Sequence, residues 1–343
     1  MARNTRRSYG KKKLEPAVMN LSFTANSGSG IPGGATNYID LSMAASVVNR
    51  RFYKQGINWS VAGFTITTSG NTAPGSVTVC KVPTTWIAYN AWVKSRAMWN
   101  KMNDQVLDSE ESIRAKYYDF KVNMNAAMAA STLQLDIQSP GDGDILVPTD
   151  CAYNEPTMGE WKYSTLQMPN DPTSGVTTEF VLGILGDSTD HTAAIPYKGC
   201  IQGYANSRAR PQPFDPNVVD SVANPEENWM TEVFNVGEQL EELREDLEDD
   251  NDSPPYPVGD PGSAIEYYPG SATQLPAAEV VGYASFGSTT QGTIFQRSIK
   301  GGMFPCGLIA INSNLTGPLF YDIIVHLVPG NHRGYLCEPM EDV

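Results

Sequence analysis

The sequence predicts an all-β protein, an antiparallel sandwich or barrel with a few inserted helices. Three observations carry that expectation: a succession of segments with period-two alternation or short apolar runs, clusters of Gly, Pro, Asn and Asp between them, and few stretches of helical period. The composition agrees, since 343 residues with 41% hydrophobic and 10% aromatic content can bury a sizeable core, which excludes disordered and collagen-like chains. No apolar run is long enough for a membrane helix, and the N-terminus lacks the apolar stretch of a signal peptide. A soluble protein without a membrane span is therefore expected.

The first strand is read at 16–23, where Ala17, Met19, Leu21 and Phe23 alternate with polar neighbours. Asp40 precedes an apolar helical pattern at 41–49 and is placed to accept hydrogen bonds from its first-turn amides. Strands are expected at 57–67 and 76–82. A helix follows over about 85–107, with Ala88, Trp92, Trp99, Met102 and Val106 on one stripe. That stripe is read as core against the sheet rather than as a ligand groove, because large aromatics are usually buried. Further strands are expected at 118–124, 133–137, 161–168, 178–185, 279–286, 307–312 and 320–328, making about eight to ten in all.

An acidic, amphipathic helix is expected at 237–249, with Leu240, Leu243 and Leu247 on one face and Glu238, Glu241, Glu242, Glu245, Asp246 and Glu248 around it. Pro254 and Pro255 end it, so 226–256 reads as an exposed insertion between strands. A solvated surface helix is the favoured reading, with a subunit contact or divalent-cation site as the functional one; Pro255 and the missing turn glycine argue against an EF-hand loop. Cys80, Cys151, Cys200, Cys306 and Cys337 form no close pair, which fits free thiols in a reducing compartment. With His191, His326 and His332 they make no metal-ligand spacing, and no cofactor is called for.

Charge points to function. The chain has 24 Lys and Arg against 38 Asp and Glu, a formal net charge of −14. Yet Arg3, Arg6, Arg7, Lys11, Lys12 and Lys13 stand together in residues 1–15 with only Glu15, which follows them, as an acid. Such an arm buries no apolar surface but neutralises phosphates, giving sequence-independent nucleic-acid binding. A solubilising tail or a nuclear localisation signal is the bland alternative. Arg50, Arg51 and Lys54 form a second basic cluster beside Phe52 and Tyr53. Cations there would contact phosphate and the rings would stack on unpaired bases, unless burial at a helix-to-strand junction claims the two rings first.

The catalytic patterns are weaker. Gly28, Gly30 and Gly33 match a dinucleotide-binding spacing, but Arg50 and Arg51 stand where a ribose-binding acid is required, and alternating strands and helices are lacking. Gly186, Asp187 and Ser188, with Asp190 and His191 nearby, read as a polar turn rather than a nucleophile block. His326 alternates with Ile324 and Val328 and reads as a structural histidine. No catalytic residue is assigned, and a structural protein rather than an enzyme is expected.

Several of these segments in succession carry a family resemblance: the arm at 2–13, the strand at 16–23, the stretch 38–41, and the run Arg50, Arg51, Phe52, Tyr53, Lys54, Gln55 and Gly56. The strand at 59–64, the segment 75–82 and the Trp86-to-Trp99 helix complete it. Together, over roughly the first 125 residues, they resemble capsid proteins of circular Rep-encoding single-stranded DNA viruses. The resemblance implies a single jelly roll over 16–343, self-assembly into an icosahedral shell of sixty copies or a multiple, and an arm facing the lumen to bind a single-stranded DNA genome. It also implies residence in the virion, passage through a host nucleus during assembly, and recognition of a host receptor of unknown identity. The arm is short for such capsids and the overall negative charge unusual. A coat protein of a small RNA virus is therefore the near alternative, and a β-sandwich hydrolase or carbohydrate-binding module the distant one.

Overall fold

The computed structural model describes residues 16–27, 34–68, 75–108, 112, 118–133, 145–149, 161–169, 177–208, 278–287, 295–316 and 320–342. In chain order these form β1 (Asn20–Asn26), β2 (Ala35–Asp40), α1 (Leu41–Asn49), β3 (Ile57–Thr68), β4 (Gly75–Lys81), α2 (Trp86–Leu107) and α3 (Ala126–Leu133). There follow β5 (Thr165–Pro169), β6 (Thr177–Gly183), β7 (Tyr197–Gly199), α4 (Cys200–Arg208), β8 (Glu279–Phe286), β9 (Phe295–Phe304), β10 (Leu308–Leu315) and β11 (Phe320–Leu327). The short strands β12 (Pro329–Gly330), β13 (Gly334–Tyr335) and β14 (Cys337–Pro339) close the chain. The protein is thus mostly antiparallel β-sheet with few helices.

Nine of the strands form two antiparallel sheets, five in one and four in the other. In one, β1 pairs with β11, β11 with β3 and β3 with β9, while β14 continues the β11 side of β3 at Ile57–Trp59. In the other, β2 pairs with β10, β10 with β4 and β4 with β8. Alternation decides the packing. Leu21 and Phe23 of β1, Ile323 and Val325 of β11, and Phe64 and Ile66 of β3 point inward, against Ile39, Val77, Val79, Ile309 and Ile311 of the second sheet. The intervening polar residues of β1 and β11 stay at least partly exposed.

The second sheet is covered on its other face as well over β2 and the adjoining parts of β4 and β10, while Val280 and Tyr283 of β8 stay exposed. Tyr38, Cys80, Leu308 and Ala310 occupy that other face and pack with Trp92, Phe120, Met124 and Leu182 of the long excursion between β4 and β8. This excursion holds α2, α3, α4 and a small sheet in which β5 and β6 are antiparallel and β6 and β7 parallel. The stripe on α2 faces the core at Ala88, Trp92 and Trp99, as expected: all three are buried, and Trp99 stacks on Tyr118 at 4.8 Å, while Met102 is partly buried. Asp40 caps α1 as expected, accepting from Ser42 N at 2.9 Å and Met43 N at 3.2 Å.

Several expectations need correction. The segment 118–124 is extended but joins no strand ladder, and it exposes no polar face, since Lys121 and Asn123 are buried. Its backbone is paired partly by side chains, since Gln55 grips Val122 at both N–H and carbonyl and Ser164 Oγ accepts from Lys121 N, and partly by the backbone of Ser164, Leu182, Ile184 and Leu185. The strand expected at 133–137 begins with the last residue of α3, a helix that the Ala- and Met-rich run favours; residues 134–137 lie outside the described ones. So do the arm cations Arg3, Arg6, Arg7, Lys11, Lys12 and Lys13, the glycines Gly28, Gly30 and Gly33, and the acidic helix at 237–249. Strands β2, β7, β9, β12, β13 and β14 and helix α4 were not expected. Among the described residues, Cys80, Cys200, Cys306 and Cys337 are free thiols, and no helix is long and apolar enough to cross a membrane.

Candidate nucleic-acid interface

The basic cluster sits on the loop between α1 and β3, and hydrogen bonds at the end of α1 shape it. Arg50 takes the left-handed position after the helix, with φ 53° and ψ 39°. Its N–H and that of Arg51 return to Val47 O and Ser46 O at 3.4 and 3.2 Å, satisfying carbonyls that the helix end would leave open. Ser46 Oγ then receives Tyr53 N at 2.9 Å, which folds the loop back.

Three side chains, two buried and one half-buried, anchor the loop from beneath. Tyr53 enters the sandwich core between Trp59 and Tyr335, with ring centroids 5.9 and 5.5 Å away, and its hydroxyl donates to Arg333 O. Phe52 packs on Trp161 at 5.9 Å, and the Lys121 ammonium lies over both rings. Gln55 donates its N–H to Asp119 Oδ2 and its amide to Asp40 Oδ2 and Val122 O. Gly56 completes the seat, because a Cβ there would come within 2.6 Å of the Trp92 ring. Arg50, Arg51 and Lys54 are thereby left exposed. Of the two readings of this pair, burial holds for Tyr53, which is unavailable for base stacking, while Phe52 is half-buried.

The polar base of the site is buried. Asp40 is fully buried and accepts from Gln55, from Trp161 Nε1 at 3.3 Å and from the Tyr163 hydroxyl at 3.1 Å, besides its two helix amides. Burial raises its carboxyl to about 6 against the lowering effect of those donors. Burial also raises Asp119 and lowers Lys121, each partly offset by the attraction between them.

Two further parts of the chain converge here. Val18 N donates to Asn49 Oδ1, Asn49 Nδ2 donates to Tyr335 Oη, and Tyr335 Oη donates to Val18 O, at 3.0, 2.7 and 2.7 Å. This closed ring fixes Val18, only five positions after Lys13, beside Arg50. Arg333, two residues before Tyr335, donates its guanidinium to Phe52 O. Sequence reading missed Arg333, which stands 281 positions from Phe52; its only local sign was the Arg-Gly pair between two short extended segments, a turn signal without an address.

The remaining candidates hold structure. Ser188 N and Oγ pair with Gln202 Oε1 and Gly199 N, and Asp190 Oδ1 accepts from Thr192, so this stretch is a hydrogen-bonded turn. His326 bridges Thr65 Oγ1 and Asn20 Oδ1 across three strands. The chain matches no protein-family model, no curated protein and no solved structure.

Proposed function

We propose that this chain is the coat protein of a small icosahedral virus, that its sandwich is a jelly roll, and that its basic arm and the Arg50, Arg51 and Lys54 loop hold a single-stranded DNA genome inside the shell. The observation that carries the reading is the pairing pattern. Leaving the short β14 aside and counting the other eight sandwich strands in chain order, the first pairs with the eighth, the second with the seventh, the third with the sixth and the fourth with the fifth. A single long hairpin rolled into two sheets produces that pattern, and viral capsid proteins are a principal use of it.

Fold alone does not assign function, since lectins and cupins share the roll. The choice among them rests on charge and on the sequence resemblance. Six arm cations stand at one end of a chain whose net charge is −14, and the ring at Val18, Asn49 and Tyr335 fixes Val18, five positions after the last of them, near three further exposed cations. An acidic body repels a polyanion, so the attraction must come from this one end. Assembly into a closed symmetric shell would then sum the weak contacts of many copies.

The test is to purify the expressed protein, treat it with DNase and RNase, and extract what survives. Protected single-stranded DNA is the expected result. Protected RNA would transfer the assignment to an RNA virus coat, and protein that never protects nucleic acid would reject a packaging role.

A further inference from the structure

We propose that Arg333 joins Arg50, Arg51 and Lys54 in a single phosphate-binding site at the root of the arm, whose ligand is the phosphodiester backbone of single-stranded nucleic acid. The proposal rests on the nucleic-acid reading above and deepens it, placing one contact residue at the far C-terminal end of the chain.

Backbone conformation makes the case. Among the described residues, the non-glycine positions with positive φ are Arg50, Cys306 and Arg333, at 53°, 56° and 50°. Two of these three carry arginines on the same loop surface. Arg333 and Gly334, with φ of 50° and 106°, are the central residues of a two-residue hairpin closed by His332 and Tyr335, whose N–H groups each donate to the other's carbonyl. Such a turn favours Asn, Asp or Gly at the place Arg333 holds, and the left-handed position after a helix favours Gly or Asn where Arg50 stands. A long cationic side chain at both positions costs conformational energy that a cheaper residue would avoid, the kind of outlier that gathers at functional sites.

The geometry supplies the rest. Arg333 spends one N–H on Phe52 O, leaving the other guanidinium donors in a planar fork suited to phosphate oxygens. That bond also ties the hairpin to the loop carrying Arg51 and Lys54. Among the described residues, Lys81 pairs with Glu279 and Arg96 with Glu341, and neither pair includes Arg50, Lys54 or Arg333. His332, next to Arg333, is held below its usual range by partial burial and by that guanidinium, so near neutral pH the hairpin presents the arginine as its cation.

The experiment compares the full chain with Arg50→Asn, Arg333→Asn and the double variant, binding a fluorescent oligothymidylate across a salt series. Asparagine suits both left-handed positions, so the variants remove charge while keeping the turns, which thermal melting checks. Removing one phosphate partner should flatten the slope of log affinity against log salt by about 0.7, and removing both by about 1.4. Lys300→Asn, on exposed β9, removes the same charge elsewhere and should leave the slope in place. Unchanged slopes in folded Arg50 and Arg333 variants, or an equal fall with Lys300→Asn, would overturn the site. Electron microscopy of the same preparations separates the two readings. Particles with an unchanged slope reject this site alone, whereas a flattened slope in protein that never forms particles retains the site and rejects the coat-protein reading.

Discussion

The Asn49 side-chain amide donates to the Tyr335 hydroxyl at 2.7 Å, joining the end of α1 to a hairpin 286 residues further along the chain. The same hydroxyl donates to Val18 O, so one phenol positions both the arm's root and the hairpin that carries Arg333. Tyr335→Phe keeps the ring packed edge-on against Tyr53 and tilted against Trp59 but removes both bonds. It should lower stability by about 1 to 2 kcal/mol, typical of hydrogen bonds removed from a partly buried site. Urea denaturation measures this, and limited proteolysis near residue 18 should become faster.

Asp40 predicts a pH dependence with a definite sign. Its carboxyl titrates at about 6 in the folded protein against 3.8 for the ordinary group. The folded state therefore holds a proton that the unfolded chain has released, and this residue's contribution to stability falls as pH rises from about 4 through 6. The full effect is about 3 kcal/mol, from roughly 1.36 kcal/mol per pH unit. Asp40→Asn keeps a competent helix cap, removes the titration and should flatten the stability profile across that range. Denaturant unfolding at pH 4, 5, 6 and 7 for both proteins provides the check; parallel profiles would contradict the assignment.

Gly56 and Trp92 should be coupled. A Cβ at position 56 would meet the Trp92 ring at 2.6 Å, so Gly56→Ala should destabilise by about 1 to 3 kcal/mol through overpacking. In a Trp92→Leu background, itself weakened by reduced core volume, the same change should cost clearly less. A double-mutant cycle by thermal or urea unfolding reads the coupling; additive effects would mean that the basic loop does not rest on α2.

What was legible in the sequence follows from which faces are wet. Strands β1 and β11 keep a solvent face, so their alternation survives in the residues, and the Asp40 cap and the tryptophan stripe of α2 were equally open to reading. Strand β2 hid because it is covered on both sides, with Tyr38 facing one core and Ile39 the other. Strand β9 hid for the opposite reason: Gln296, Arg297, Ser298 and Lys300 are exposed around buried Ile299, and the next buried residue is Phe304 at the strand's end. The alternation at 118–124 misled because its polar members are buried against Gln55, Ser164 and Leu182 rather than facing water. Arg50, Arg51 and Lys54 were legible as neighbours in sequence, whereas Arg333 reaches them only through the fold.

The arm should be separable from the body. Deleting residues 2–13 removes six cations and adjoins no described core residue before Leu21, so the melting temperature should hold. With about six phosphates no longer neutralised, the salt dependence of single-strand binding should flatten by roughly 4 in log-log slope, and the nucleic-acid to protein absorbance ratio of purified material should fall. If packaging and slope persist, the arm is not the main genome-binding element and the loop cations carry the load.

The central claim is that many copies of this chain close into a shell. Negative-stain electron microscopy of the purified full chain, across a range of pH and calcium concentration, tests it most directly. Closed, uniform icosahedral particles are the predicted result; protein that stays monomeric at high concentration under every condition would contradict it.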